Sequence, residues 1–231
     1  MRILSVDFDG AIGAPGGASP SDPLPQVAFA GRSNVGKSSL INRLLGRTRT
    51  QMARVSGRPG KTREINFYRV RGRLEQDGET SDVLFHLVDL PGYGYAKVPD
   101  EVRETWGLTI DRFLGESDRL RGVVQLVDAR REPTADDRRM MEFLAALGTP
   151  VLVVATKMDK VKKSARGESI ARVVRSLAVD AEQVLAFSSV SGDGRADLLA
   201  SLALLIEDAP EPARQPVPVE SADDPLEEER S

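Results

Sequence analysis

The sequence predicts an α/β fold in which a mostly parallel central sheet carries helices on both faces, and three observations lead there. Short apolar runs at 27–30, 83–89, 122–127 and 150–155 alternate with segments of helical period, the pattern of strands joined by crossover helices. The run VAFA enters GRSNVGKSS at 31–39 and then SLINRLL, a strand, a glycine-bearing loop and a helix in succession. Later, VLVVA runs straight into TKMD at 156–159. In such sheets ligands bind beyond the carboxyl ends of the strands, where both loops fall.

The 231 residues suffice for one domain with tails, and three regions are expected. Residues 1–23 read as a strand and a flexible linker, 24–207 as the domain, and 208–231 as a disordered acidic tail too poor in apolar residues to offset the entropy of ordering. No apolar run approaches a membrane span, and MRILSVDFDG has neither the basic start nor the apolar core of an export signal. A cytoplasmic location without membrane association is therefore expected. The absence of cysteine removes disulfides and thiolate metal sites.

The net charge of −3 hides an asymmetry. Ten basic residues lie between Arg43 and Arg73 against the single acid Glu64, while nine acids follow from Glu207 onward against Arg214 and Arg230. The basic segment points toward a polyanionic partner such as nucleic acid.

Taken in order, RILSVDF at 2–8 reads as a strand, and the glycine- and proline-rich stretch after it as linker. VDFDGA resembles the nucleophile loop of haloacid-dehalogenase-type phosphatases, but a linker stands where that loop needs a helix, so a phosphatase is set aside. Strands follow at 27–30, 64–71, 83–89, 122–127, 150–155 and 183–187. The helix after Pro99 places Val102, Trp106, Ile110, Phe113 and Leu114 on one face. The next opens at Thr134 as N-cap and carries Met140, Met141, Phe143, Leu144 and Leu147; the last runs from about Ala196 to Ile206. His86, the only histidine, lies among apolar strand residues with no carboxylate near in sequence and reads as structural.

The spacing of Gly31, Gly36, Lys37 and Ser38 fits the phosphate-binding pattern G-x-x-x-x-G-K-[ST]. Backbone amides of Arg32, Ser33, Asn34, Val35 and Ser39 are placed to line an anion at the front of a helix. Lys37 would reach the β- and γ-phosphates, and the Ser38 hydroxyl would bind Mg²⁺.

Two further segments narrow the ligand. In TKMD, Asp159 offers one carboxylate to the adjacent N1–H and amine of guanine, Lys157 covers the purine face, and Thr156 and Met158 complete the loop. Thr156 stands where many such proteins carry asparagine, which predicts fewer hydrogen bonds to the phosphate loop. Phe187, Ser188 and Ser189 follow the final strand, with the Ser189 amide placed for the guanine O6. In DLPGYG, Asp89 is a Mg²⁺ ligand through water, Leu90 and Pro91 lead on, and the Gly92 amide senses the γ-phosphate. Gly57, Pro59, Gly60, Lys61 and Thr62 form a mobile segment, with Thr62 the second hydroxyl for Mg²⁺.

Together GRSNVGKSSLIN, PGKT-x-x-INFY, DLPGYGYAKV and TKMDK closely resemble the EngB (YihA/YsxC) family of bacterial GTPases, over about residues 24–207. The resemblance implies a P-loop NTPase fold of the G-domain type, binding GTP and GDP with Mg²⁺ and hydrolysing GTP, with Lys37, Thr62, Gly92 and Asn34 in the catalytic machinery. It also implies a role in assembly of the large ribosomal subunit and in cell division and septation. The partner is then a large-subunit precursor, contacted through rRNA by the basic segment, and the protein is expected to act as a monomer; Lys97 reads either as a further partner contact or as a solvated surface lysine. Tyr93 stands where small signalling GTPases carry a water-orienting glutamine, which predicts slow intrinsic turnover. Asn34 resembles the potassium-binding asparagine of cation-activated GTPases and makes K⁺ a candidate cofactor.

Overall fold

The computed structural model describes residues 1–13, 18–47, 64–76, 78–94 and 100–207, with main chain alone over 100–107. Gly57, Pro59, Gly60, Lys61, Thr62, Lys97, the side chains of Val102 and Trp106, and the acidic tail lie outside the described residues.

Seven strands form one sheet: β1 (Arg2–Ile12), β2 (Gln26–Gly31), β3 (Ile65–Gln76), β4 (Glu79–Asp89), β5 (Leu120–Asp128), β6 (Val151–Thr156) and β7 (Val184–Ala186). Their order is β1-β3-β4-β2-β5-β6-β7. The five strands β4, β2, β5, β6 and β7 run parallel, whereas β1 and β3 add an antiparallel edge. Among the described residues five α-helices flank them: α1 (Lys37–Leu44), α2 (Asp100–Glu116), α3 (Ala135–Ala146), α4 (Arg166–Leu177) and, after the last strand, α5 (Arg195–Glu207). The chain leaves β2 toward β3 on one side and leaves its neighbour β4 toward β5 on the other, so a crevice opens at the carboxyl end of β2.

The strands β2, β5 and β6, and β4 from Phe85 on, are buried on both faces, so they read as largely apolar sequence. On one face Phe29, Val27, Leu126 and Val154 pack with Leu40, Ile41 and Leu44 of α1 and Leu198, Leu199 and Leu202 of α5. On the other, Ala28, Val88 and Val123 meet Ile110, Phe113 and Leu114 of α2 and Leu144 of α3. Fully burying one side chain of this size contributes about 1.5–3 kcal/mol, so these layers hold the strand ends in place. The N-cap at Thr134 is present as a capping box, with Thr134 Oγ1 accepting from the Asp137 amide and the Asp137 carboxylate accepting from the Thr134 amide.

Several expectations are corrected by long-range pairing. The first strand continues through Gly10–Ile12, because β3 supplies partners up to Ile12↔Ile65. His86 does have a carboxylate partner, since Asp9 on β1 lies 2.8 Å from its Nε2. The aspartate of the phosphatase-like string thus meets the one histidine, two strands away. Arg69 pairs with Asp22 at 2.7 Å, and Arg73 and Arg71 both pair with Asp82. Three of the ten cations in the basic segment are therefore matched by local acids, although such exposed pairs contribute only about 0–1 kcal/mol each.

Candidate functional site

The phosphate loop leaves β2 at Gly31 and enters α1 at Lys37. Asn34 and Gly36 have φ of 65° and 109°, both left-handed, which turns successive amides toward the crevice. Gly31 has no room for a side chain, because a Cβ there would come within 2.9 Å of Val35 Cγ1 and 3.1 Å of Leu126 Cβ. Lys37, the first residue of α1, is buried and ion-paired with Asp89 at the carboxyl end of β4. Ser38 and Ser39 follow it at the half-buried front of the helix.

The segment after Asp89 lies directly along this loop. Leu90 N–H donates to the Phe29 carbonyl at 3.2 Å, and Ser33 N–H donates to the Tyr93 carbonyl at 2.9 Å. A Cβ on Gly92 would stand 3.3 Å from both Cα and N of Ser33, so a bare backbone makes this approach possible. The Tyr93 ring turns away from the loop. Its hydroxyl donates to Asp137 Oδ1 at 2.7 Å and receives a close hydrogen bond from Gln125 Nε2. Burial, and after it the charge of Asp137, push the phenol well above its ordinary range, so it stays protonated.

TKMD is tied to the phosphate loop by two neighbouring residues. Thr156 Oγ1 contacts the Val35 carbonyl at 2.7 Å and the Val127 carbonyl at 3.0 Å, while Lys157 Nζ donates to the Asn34 carbonyl at 2.6 Å. The threonine itself supplies one hydrogen bond to the phosphate loop, and Lys157 adds the second. Thr156 is 1% exposed, and its short hydroxyl sits between two carbonyls that need a donor. Met158 is buried in the single 3-10 turn that follows and anchors it to the core beside Val173. Asp159 is exposed and accepts from Ser188 Oγ at 2.8 Å. That same oxygen takes the Val190 and Ser191 amides at 3.2 Å, which shapes the loop from Phe187 through Ser189. Phe187 is fully buried beneath it.

Two groups of residues at this site were missed by motif reading. Asp128 ends β5 opposite Thr156 in parallel register and accepts from Lys157 Nζ at 3.0 Å. Burial alone would raise its pKa, but hydrogen bonds from Arg130 and Lys157 outweigh that and hold the carboxyl well below its usual range. A lone acid at the end of an apolar strand was the available signal. The other group, Gln125 and Asp137, has no motif signature, since only the fold brings either to Tyr93. Arg195 lies farther out, donating from Nη2 to the Leu44 carbonyl at 2.7 Å and closing the C-terminus of α1.

A parallel sheet with a phosphate loop at its switch point, a second loop crossing beside it and a carboxylate loop hydrogen-bonded to both β6 and β7 termini defines a P-loop GTPase. Residues 26–157 match the model of the family described as 50S ribosome-binding GTPase. The chain is 43% identical over 206 residues to a probable GTP-binding protein EngB of Gemmatimonas aurantiaca, covering 89% of this chain and 95% of that one. It is 41% identical over 215 residues to that of Geobacter metallireducens, covering 93% and 98%. The chain belongs to the EngB family of GTP-binding proteins, and is a guanine-nucleotide-binding GTPase. Among solved structures, a probable GTP-binding protein EngB superposes with a TM-score of 0.58 at 28% identity, over 78% of this chain and 98% of that one. Era in complex with MgGDPNP and a segment of 16S ribosomal RNA superposes at 0.57 with 26% identity, over 79% and 56%.

Proposed function

We propose that this GTPase switches between GTP and GDP states while docked on a precursor of the large ribosomal subunit, and through that assembly step supports cell division and septation. The carrying observation is the joint fixation of Asn34 and Val35 carbonyls by Lys157 and Thr156, which sets the phosphate loop and the base loop at one spacing. A nucleotide that fits both presents its phosphates at one end and its base at the other.

In this reading the amides of Arg32 to Ser39 hold the phosphates, and Lys37 exchanges Asp89 for the β- and γ-phosphates. The oxygen set fits Mg²⁺: Asp89 is a buried carboxylate that already requires a cation, and Ser38 lies one residue beyond its present partner. Ser38, Asp89 and Thr62 would hold the metal, which supplies positive charge to the β/γ bridge. No group of three or more acids, histidines or cysteines able to hold a metal occurs among the described residues. One carboxylate, two hydroxyls and phosphate oxygens are the habit of Mg²⁺ at nucleotide sites. Asp159 selects guanine, the Ser189 amide meets O6, and the Gly92 amide meets the γ-phosphate, while Gly57, Pro59, Gly60, Lys61 and Thr62, outside the described residues, supply further nucleotide contacts. Asn34, exposed and left-handed beside the β/γ position, offers its amide oxygen to K⁺.

Tyr93 points its hydroxyl at Asp137 and Gln125, away from the phosphate loop, and so has no means of orienting water. Intrinsic turnover is accordingly slow, and the partner accelerates it. The family's 50S ribosome-binding description supports that partner, while the 16S ribosomal RNA held by Era, a small-subunit RNA, supports only a ribosomal RNA contact in general. The rRNA-facing surface is the basic segment before β3, and the protein works as a cytoplasmic monomer. No helix among the described residues is long and apolar enough to cross a membrane.

Sedimentation of tagged protein with GTP, GDP or a non-hydrolysable analogue tests the proposal. Co-migration with large-subunit particles only in the triphosphate state is expected, and nucleotide-independent sedimentation would overturn the switch. Hydrolysis compared in K⁺ and Na⁺ buffers, with and without such particles, tests Asn34; equal rates remove K⁺.

A further inference from the structure

Asp159 shares its loop with strong cations. Lys157 is two residues before it, and Arg130 is close enough for its guanidinium to feel the Asp159 charge. Either cation could form an ion pair with Asp159, and guanine would then have to break a charge-assisted contact to reach the carboxylate. In the structure neither does. Both are held by one acid instead.

Asp128 accounts for this with every oxygen position it has. Its Oδ1 accepts from the Arg130 amide at 3.1 Å and from Arg130 Nε at 2.9 Å. Its Oδ2 accepts from Arg130 Nη2 at 2.7 Å and from Lys157 Nζ at 3.0 Å. The guanidinium is thus gripped at two nitrogens in the geometry that favours arginine with carboxylate, and the backbone turn at Arg130 fixes its origin. The ammonium is shared between Asp128 and the Asn34 carbonyl, so its chain lies across the crevice between phosphate and base loops. With 17% of its side chain exposed, Asp128 competes for these cations from partial shelter, whereas Asp159 stands in solvent with one serine hydroxyl as its hydrogen-bond partner.

We infer that Asp128 is a specificity-determining positioning residue whose carboxylate sequesters Lys157 and Arg130, leaving Asp159 free to accept the two N–H donors of guanine. The inference rests on the reading of Asp159 as the base-selecting carboxylate. Neutralising Asp128 frees two cations, and Asp159 is the nearest acid of the base loop. The amine-dependent part of guanine recognition suffers first, because it requires the second oxygen of Asp159.

The test compares dissociation constants of GTP and inosine triphosphate, which lacks the exocyclic amine, for the full chain and its variants. Asp128→Asn should reduce the GTP preference over inosine triphosphate by about tenfold, the scale of one charge-assisted hydrogen bond. Adding Arg130→Ala to that variant should restore part of the preference, and Asp128→Glu alone should retain it. Asp128→Ser, which keeps an oxygen for the Arg130 amide, serves as a second neutral variant should the asparagine form fail to fold. An unchanged ratio, or equal losses for both nucleotides with no rescue by Arg130→Ala, would overturn the role of Asp128. Asp159→Asn separates the two ideas: if it leaves GTP affinity intact, the base-reading assignment itself falls. If it shifts preference toward xanthine nucleotides while Asp128→Asn changes nothing, only the sequestering role falls.

Discussion

The Thr156 hydroxyl and the Val35 carbonyl lie 2.7 Å apart across 121 residues of sequence. One hydrogen bond joins the loop that meets the purine to the loop that meets the phosphates, so neither can shift alone. Lys157 repeats the connection one residue along in both loops, through the Asn34 carbonyl. This coupling makes the two motifs a single rigid gauge for the length of a nucleotide.

Replacing Thr156 by Val keeps the volume and removes the donor. The buried Val35 carbonyl then loses its partner, which costs about 1–3 kcal/mol. Urea unfolding should show that loss, and calorimetry should show weaker binding of GTP and GDP alike, because both share the base and the β-phosphate.

The hydroxyl of Tyr93 sits between Gln125 and Asp137, which are 0% and 4% exposed. Tyr93→Phe removes the hydroxyl from Gln125 Nε2 and from Asp137 Oδ1, whose other oxygen stays on Thr134, and is expected to destabilise the fold by about 1–3 kcal/mol. Its pH signature is distinct. The phenol is pushed up in the folded state, by burial and then by Asp137. Above the unfolded value of about 10, the unfolded chain releases a proton that the native one keeps. Stability therefore falls as pH rises through that value. Denaturant midpoints measured from pH 8 to 11 should fall less steeply for Tyr93→Phe than for the wild type; parallel slopes would show that Tyr93 is not held this way.

Asp128 gives the opposite limb. Its carboxyl is held low in the native state: burial opposes this, and the hydrogen bonds of Arg130 and Lys157 prevail. The stabilisation is fully present above the unfolded carboxyl value of about 3.9 and is lost as pH falls below it. Asp128→Asn should be less stable than wild type at neutral pH, with the gap closing in acid. Thermal unfolding across pH 2 to 7 measures this directly.

Gly92→Ala places a methyl 3.3 Å from Ser33 Cα and N. Neither backbone atom yields without moving the phosphate loop, so the segment carrying the Gly92 amide lifts instead. The shift needed is a few tenths of an ångström, and since a displacement of about 1 Å at a reacting centre costs on the order of a hundredfold in rate, the loss here is smaller, roughly severalfold. Single-turnover GTP hydrolysis should fall by about that factor, while GDP affinity changes little.

The alternating apolar runs, the glycine spacing of the phosphate loop and the TKMD string were all legible in sequence because they are local. Strand burial needs consecutive apolar residues, a phosphate cradle needs glycines at set intervals, and Thr134 caps its helix through an acid three residues on. What the sequence could not disclose is which distant charges meet. Asp9 reaches His86 across β1, β3 and β4, and Asp82 neutralises Arg71 and Arg73 that had counted as a basic surface. Only the assembled sheet sets Asp128 between Lys157 and Arg130 and turns Tyr93 toward Asp137. Local order follows from periodicity along the chain, but charge pairing depends on distances of a few ångströms that the order of strands in the sheet decides.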